Sequence, residues 1–198
     1  MTKIIGITGG IGSGKTTVCD YLKKNNFPVH ESDKVVAEMY NNPKKSFLNF
    51  LKKNISKEVI GNKEINKKKI TDIIFNNPKT RKALESYVHK QVKKSRDIFI
   101  KKNTKNKKGV VFIDIPLLFE NKLEKSFDVV MCVIAKKKIR RERVLKNKKF
   151  TKNILEKIFK SQISDDERKR RSNITIYNNT TKKDFIFSLE KALISLLK

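Results

Sequence analysis

Short apolar segments alternate with longer amphipathic segments along this 198-residue chain. The apolar segments are rich in Ile, Val and Phe and are bounded by Gly, Pro or Asn, which is typical of buried β-strands. We predict strands at residues 3–8, 27–30, 109–115, 127–135 and 174–177. We predict helices at residues 15–26, across most of 33–103, and at 136–149, 151–162, 165–171 and 180–198. This alternation predicts an α/β fold whose parallel sheet is covered by helices on both faces.

The long basic helical stretch between the second and third strands indicates an insertion into this core. No internal repeat and no long linker is visible, so a single domain of residues 1–198 is expected. The segment around residues 138–165 has few strong hydrophobic anchors, which favours a mobile flap.

Residues 9–16, Gly-Gly-Ile-Gly-Ser-Gly-Lys-Thr, match the phosphate-loop pattern G-x-x-x-x-G-K-[ST] in full. They follow a predicted strand and precede a predicted helix, as the pattern requires. The glycines let the backbone wrap around a phosphate, and the helix N-terminus adds a favourable dipole. Lys15 is expected to reach the β- and γ-phosphates, and the Thr16 hydroxyl is placed to bind Mg²⁺. The motif therefore predicts binding of a nucleoside triphosphate, ATP, with Mg²⁺; an ordinary glycine-rich turn is the alternative.

Two carboxylates follow predicted strands and are candidates for the chemistry. Asp33 comes after the second strand, where ligands of open α/β sheets collect. It either orients and deprotonates an acceptor hydroxyl or caps the helix that begins at Lys34. Asp114 stands at the end of the third strand and either binds Mg²⁺ or its water shell, or only caps that strand. Glu120, in the loop just after it, is compatible with a plain surface position.

Arginines form two clusters, one in the predicted helix at residues 136–149 and one in the predicted helix at residues 165–171. The first cluster would stabilise a transferring phosphoryl group if a flap closed over ATP. The alternative for each of these side chains is a solvated helix face, and the second cluster has the same two interpretations. The first cluster is Arg140, Arg141 and Arg143, and the second is Arg168, Arg170 and Arg171.

The chain is strongly basic, with 48 Lys and Arg against 20 Asp and Glu and a formal net charge of +28. Only 8 of the basic residues are arginine, the side chain on which base and phosphate readers rely for its bidentate fork. The lysines are spread along the chain among many Asn and Ile, which share A/T-rich codons. Genome base composition is therefore favoured over a specific nucleic-acid partner, with weak, salt-sensitive polyanion binding as the alternative.

Targeting signals are not apparent. No segment is long and apolar enough for a membrane span, and the start of the chain does not have the pattern of a signal peptide. Cys19 and Cys132 are too few for a disulfide framework or a zinc site. We therefore expect a cytoplasmic protein with no membrane partner.

Further segments follow the phosphate loop in an order that distinguishes one kinase family. The start, residues 5–18, is followed by Val-His-Glu-Ser-Asp at 29–33, by Val88-His89 on a predicted helix and by Asp-Ile-Pro-Leu-Leu-Phe-Glu at 114–120. Gln162 and the Ile-Tyr-Asn segment at 176–178 continue the match. Along essentially its full length the chain resembles the dephospho-CoA kinases.

The resemblance implies a phosphate-loop NTPase core with a five-stranded parallel sheet, a helical CoA-binding insertion and a lid. The core would cover about residues 1–32, 109–137 and 172–198. The CoA-binding insertion would cover about residues 33–108, and the lid about residues 138–171. The implied reaction transfers the γ-phosphate of ATP to the 3′-hydroxyl of dephospho-CoA, with Asp33 as the catalytic base. A monomer with no specific nucleic-acid partner is expected.

The resemblance and the motifs together predict the site. The predicted catalytic residues are Asp33 and Lys15, and the predicted metal ligands are Thr16 and Asp114. The predicted ATP contacts are Gly10, Ile11, Gly12, Ser13, Gly14, Lys15, Thr16, Thr17, Arg140 and Arg143. The predicted substrate contacts are Asp33, His89, Asp114 and Leu117.

Four positions depart from the family pattern. Glu31 stands where the family has Asp, and Lys90 stands where it has Pro. Ala37 stands where the family often has Arg, and Asn147 where it usually has Arg. The absence of arginine at positions 37 and 147 would weaken substrate binding or slow turnover if lysine does not replace its bidentate contacts.

Two other functions stay open from the sequence. One is another nucleoside or nucleotide kinase, which the segment 114–120 disfavours, and the other is a basic nucleic-acid-binding ATPase, for which no recognisable module is present.

Overall fold

The computed structural model describes residues 1–61, 64–147 and 150–197, and these separate into two compact units. The larger unit combines Met1–Glu31 with Ile100–Lys198, and the smaller unit is Ser32–Phe99. The strands are β1 (Lys3–Gly9), β2 (Val29–Glu31), β3 (Ile60–Gly61), β4 (Glu64–Ile65), β5 (Val110–Asp114), β6 (Val129–Ile134) and β7 (Ile174–Tyr177). The helices are α1 (Lys15–Lys24), α2 (Ser32–Asn41), α3 (Lys45–Asn54), α4 (Lys67–Asn76), α5 (Pro78–Lys105), α6 (Lys137–Lys146), α7 (Lys152–Ser161), α8 (Asp165–Arg171) and α9 (Lys182–Leu197).

The described part of the larger unit contains a five-stranded sheet in the order β2-β5-β1-β6-β7, and every neighbouring pair is parallel. The predicted α/β fold with a parallel sheet is therefore confirmed. Asp114, at the end of β5, lies opposite Ile7 of β1 and Glu31 of β2. Because all the strands point the same way, the loops that follow β1, β2, β5, β6 and β7 leave from one edge of the sheet.

The apolar core of this unit explains why the predicted strands form. All five residues of β5 are buried, as expected for a parallel strand covered on both faces. Helix α9 packs with α1 against the sheet through its periodic face. Its buried residues are Phe185, Leu189, Leu193 and Leu196, the four that the sequence places near one face. Full burial of each such side chain contributes about 1.5–3 kcal/mol.

The smaller unit is built around an aromatic cluster. The Tyr87 ring stacks on Phe50 and Phe47 with centroid distances of 4.2 Å and 5.5 Å. Leu51 and Val59 are fully buried beside them. The sequence predicts only helices here, whereas β3 and β4 form a short antiparallel pair. Strands of two residues are too short to display an alternating pattern, so they leave no sequence signal.

Within residues 1–61, 64–147 and 150–197, no helix is both long enough and apolar enough to span a bilayer.

Candidate functional site

The phosphate loop connects β1, the central strand of the sheet, to α1. Ser13 N donates a hydrogen bond of 3.1 Å to Gly10 O, which closes a turn with Ile11 and Gly12 at its corner. Gly12 has a φ of 75°, in the left-handed region that side chains with a Cβ rarely adopt. The Lys15 ammonium folds back over the loop and donates 3.2 Å to Gly9 O. The loop therefore has the closed, glycine-dependent shape that the motif predicts.

The loop is held by Asn178, which directly follows the edge strand β7. Asn178 is buried, and its Nδ2 donates 2.8 Å to Ser13 O. Arg143 of α6 donates from Nη2 to Asn178 Oδ1 at 3.1 Å and to Asn178 O at 3.2 Å. Asn178 thus links the phosphate loop to Arg143, one of the predicted ATP contacts.

Arg140 also lies against the loop, and it is not on a solvated helix face. Its side chain is only 7% exposed and its Nη2 pairs with Asp165 Oδ2 at 2.9 Å. The guanidinium lies over the Phe159 ring at 5.1 Å. A Cβ on Gly10 would overlap the Arg140 guanidinium, so the two are in direct contact. Burial lowers the pKa of Arg140, and the charge of Asp165 opposes that shift.

Three buried polar atoms around the loop have no hydrogen-bond partner within the part of the chain that the structure describes. They are Ser13 Oγ, Arg140 Nε and Arg143 Nη1. Buried polar groups are normally paired, so these unpaired donors beside the phosphate loop are candidates for contact with a ligand. Two guanidinium groups and a hydroxyl are donors suited to phosphate oxygens.

A second arginine is buried behind the loop. Arg168 of α8 is 2% exposed, and it reaches Asp165 Oδ1 at 3.0 Å and Glu120 Oε1 at 3.1 Å. Its Nη2 also lies 3.4 Å from Gln162 Oε1, which accepts from Ile11 N at 3.2 Å. A plain surface position for Glu120 and a solvated face for Arg168 are therefore wrong. The only sequence signals for this group are the carboxylate that closes segment 114–120 and the match at Gln162.

The remaining arginines of the two clusters form pairs away from the loop. Arg141 donates to Glu156 of α7. Arg170 pairs with Glu167 and is 75% exposed. Arg171 pairs with Glu124 and lies over the Phe119 ring.

The two predicted metal ligands are an exposed hydroxyl and a buried carboxylate of the larger unit. Thr16 is in the first turn of α1, and Asp114 is 8% exposed at the end of β5. Burial raises the pKa of the Cys19 thiol, the nearby charge of Asp114 raises it further, and that of Lys15 lowers it. The charges of Asp114 and Lys15 therefore shift the pKa of the same residue of α1, Cys19, in opposite directions. Among the described residues no group of three or more His, Cys, Asp or Glu is arranged around a common metal position.

Asp33 and His89 belong to the smaller unit, and both are exposed. Helix α2 begins at Ser32, one residue before Asp33, so the interpretation of Asp33 as an N-cap is wrong. Asp33 is instead in the first turn of the helix, where acidic side chains are commonly found. His89 lies on α5. Leu117, in the larger unit, is 42% exposed in the loop after β5.

A groove of about 670 Å³ opens within the smaller unit. Apolar side chains that include Met39, Phe47 and Tyr87 line it, and Lys44 and Lys94 add positive charge. Such a lining suits an anionic molecule with an apolar portion.

Comparison with known proteins decides the family. A family model described as dephospho-CoA kinase matches residues 3–184. The chain belongs to the dephospho-CoA kinase family. A dephospho-CoA kinase of Fusobacterium nucleatum is 33% identical over 199 residues, which cover 95% of this chain and 95% of that protein. The expected ATP-dependent kinase of CoA biosynthesis is thereby confirmed at the level of the family.

Solved structures agree with this fold. A crystal structure from Thermus thermophilus superposes with a TM-score of 0.81 at 26% identity and covers 100% of this chain and 98% of that one. The dephospho-CoA kinase from Campylobacter jejuni gives a TM-score of 0.74 at 21% identity, with coverage of 99% and 98%. At that identity the second likeness concerns the fold alone.

The four departures from the dephospho-CoA kinase pattern have different surroundings. Glu31 keeps the negative charge of the family's Asp and pairs with Lys23 at 2.9 Å. Ala37 on α2 and Lys90 on α5 are exposed. Asn147 is the exposed residue that ends α6, and Lys148 beside it lies outside the described residues. The negative charge at position 31 is thus kept at the edge of the sheet. The two positions where the family has arginine and this chain does not, 37 and 147, are exposed.

Proposed function

We propose that this chain transfers the γ-phosphate of ATP to the 3′-hydroxyl of dephospho-CoA, giving CoA and ADP. Family membership supports the reaction. The observation that carries the residue assignment is the set of unpaired buried donors, Ser13 Oγ, Arg140 Nε and Arg143 Nη1, around the phosphate loop.

The phosphate loop and its two arginines are assigned to the triphosphate. The N–H groups at the start of α1 have no intrahelical acceptor, so they are available to phosphate oxygens. Lys15 adds a positive charge at the loop, and Arg140 and Arg143 add buried donors, Nε and Nη1. Positive groups placed in advance stabilise the charge of the transferring phosphoryl group more strongly there than in water.

The general base is assigned to Asp33. This carboxylate lies two residues beyond the end of β2 and is exposed, so a substrate hydroxyl can approach it. It would orient the 3′-hydroxyl and take its proton as the bond to phosphorus forms.

Mg²⁺ is assigned to Thr16 and Asp114. A hydroxyl and a carboxylate are the hard oxygen donors that Mg²⁺ prefers, and this ion usually keeps waters and phosphate oxygens as its other ligands. When bound, the ion would neutralise charge on the triphosphate.

The basic groove of the smaller unit is assigned to dephospho-CoA. Its lysines suit the substrate's phosphates, and its aromatic and apolar lining suits the adenine and the pantetheine arm. His89 and Leu117 are further proposed substrate contacts.

The test is a coupled ADP-release assay with Mg-ATP and dephospho-CoA, with the product identified by the mass gain of one phosphate. AMP and adenosine are parallel acceptors, and Lys15→Ala is the inactive control. Phosphorylation of dephospho-CoA alone is expected. Transfer to AMP or adenosine instead would replace this function with that of another nucleotide kinase. ATP hydrolysis that needs added nucleic acid would replace the proposed kinase function with that of a nucleic-acid-dependent ATPase.

The expected monomeric state is tested separately by light scattering.

A further inference from the structure

The corner of the phosphate loop is attached to a side chain that the catalytic assignments do not use. Ile11 N donates 3.2 Å to Gln162 Oε1, at the end of α7. Ile11 is the corner residue of the turn closed by Ser13 N and Gly10 O. Gln162 therefore contacts the phosphate loop at its corner, through the Ile11 N–H.

Gln162 is itself held in place. Arg168 Nη2 lies 3.4 Å from the same Oε1 atom, and Arg168 in turn pairs with Glu120 at 3.1 Å. Glu120 Oε1 also accepts from Ile163 N at 3.2 Å, so it fixes the backbone next to Gln162. Both the side chain of Gln162 and the chain that carries it therefore have a defined position.

The group behind Gln162 is electrically balanced. Asp165 bridges two buried arginines, through Oδ1 to Arg168 and through Oδ2 to Arg140. With Glu120 the group contains two positive and two negative charges. Breaking such a buried pair leaves an uncompensated charge, so its members resist displacement. A rigid support of this kind can hold a loop against the pull of a bound ligand.

We propose that Gln162 is a positioning residue for phosphoryl transfer, which sets the corner of the phosphate loop through Ile11 N–H. The proposal rests on the proposed function, because the loop's ligand is the triphosphate. The backbone N–H groups at the start of α1 bind phosphate and do not depend on a contact with Gln162. Loss of the Gln162 oxygen therefore releases the loop corner and disturbs alignment of the transferring group while nucleotide affinity is kept.

The test compares Gln162→Met, which keeps length but has no oxygen, with Gln162→Glu, which keeps an acceptor for both Ile11 N and Arg168. Gln162→Met should lower kcat about tenfold and leave the Kd for ADP within about threefold, since one charge-supported hydrogen bond is lost. Gln162→Glu should recover most of kcat. Ser161→Ala is the matched control, because its exposed hydroxyl bonds only within its own turn, to Ile158 O, as far as the described residues extend.

A second readout does not depend on the acceptor. The exchange rate of the Ile11 amide, followed by NMR without substrate, should rise about tenfold in Gln162→Met and stay near wild type in Gln162→Glu. If Gln162→Met does not fold, Gln162→Asn withdraws the oxygen while keeping its chemistry and should behave in the same way.

Wild-type kcat in Gln162→Met, or unchanged Ile11 exchange, would overturn the proposal. So would an equal loss of kcat, ADP affinity and melting temperature in the Met and Glu variants, which indicates a purely structural residue. Failure of the wild type to phosphorylate dephospho-CoA is a separate result, because it removes the proposed function while Ile11 exchange still decides the role of Gln162.

Discussion

The side chain of Asn178 donates a 2.8 Å hydrogen bond to the carbonyl oxygen of Ser13, and both residues are buried. Asn178 also accepts from Arg143, so one amide joins the end of β7, the phosphate loop and α6.

Asn178→Ala should destabilise the fold because it leaves the Ser13 carbonyl and the Arg143 guanidinium without these bonds. A loss of about 1–3 kcal/mol in the free energy of unfolding is expected. That corresponds to a melting temperature lower by roughly 2–4 °C per kcal/mol. Thermal melts with and without ATP measure it. Asn25→Ala, which removes an exposed amide bonded only locally to Tyr21 O in the described structure, is the control. Equal melting of wild type and Asn178→Ala would contradict the prediction.

Gly10→Ala should impair both folding and turnover for a steric reason. A Cβ at Gly10 would overlap the Arg140 guanidinium and come within 3.3 Å of Arg168 Nη1. Because both arginines are locked by Asp165, they cannot move away cheaply, and overpacking of this kind costs about 1–3 kcal/mol. Gly109→Ala is the matched control, since no described atom beyond its two chain neighbours lies within 4 Å of its added Cβ. Denaturant unfolding and kcat/KM should separate the two variants, and similar behaviour would argue against the buried arginine cluster.

Asp33→Asn should cut kcat about 10²-fold or more while ATP binding stays near normal, because the amide cannot take the proton of the acceptor hydroxyl. Steady-state kinetics and ATP titration measure the two effects. Asp72→Asn, at an exposed position on α4, should be silent. Wild-type turnover in Asp33→Asn would show that another group is the base.

Asp114→Asn should raise the Mg²⁺ concentration required for half-maximal activity about tenfold or more, because a charged oxygen donor to the ion or its waters becomes neutral. Titration of activity with Mg²⁺ at saturating ATP measures this. Asp20→Asn removes an exposed carboxylate of α1 that pairs with Lys23, and it is the control. An unchanged Mg²⁺ requirement would remove Asp114 from the metal assignment.

The thiols should be almost inert in the folded protein. Burial raises the pKa of Cys132 to about 12, and burial followed by the charge of Asp114 raises the pKa of Cys19 as well. Only the thiolate reacts, and its fraction falls about tenfold for each unit by which the pKa rises. Labelling with an aromatic disulfide at pH 8 should therefore be slow in the native state, accelerate as the pH is raised, and be rapid for both thiols in denaturant. Rapid native labelling at pH 8 would show that a thiol is accessible.

Local sequence patterns specify the core of the fold and the chemistry of the phosphate loop. The strands predicted at 3–8, 109–115, 127–135 and 174–177 agree with the observed strands to within a residue or two at each end. They are predictable because a buried parallel strand is a continuous run of apolar residues in the sequence. The phosphate loop is equally local, since its glycines and Lys15 lie within eight residues. Segment 114–120 and the other matches named the family, which the comparisons confirm.

Which polar side chains surround that loop depends on contacts that form only when the chain folds. Ile11 meets Gln162 and Ser13 meets Asn178 across 151 and 165 residues, and no local pattern encodes such a pairing. Sequence patterns also could not distinguish Arg140 and Arg168, which are buried, from the exposed Arg170. An arginine becomes a core residue only where folding brings carboxylates such as Asp165 and Glu120 close enough to offset the cost of removing its charge from water.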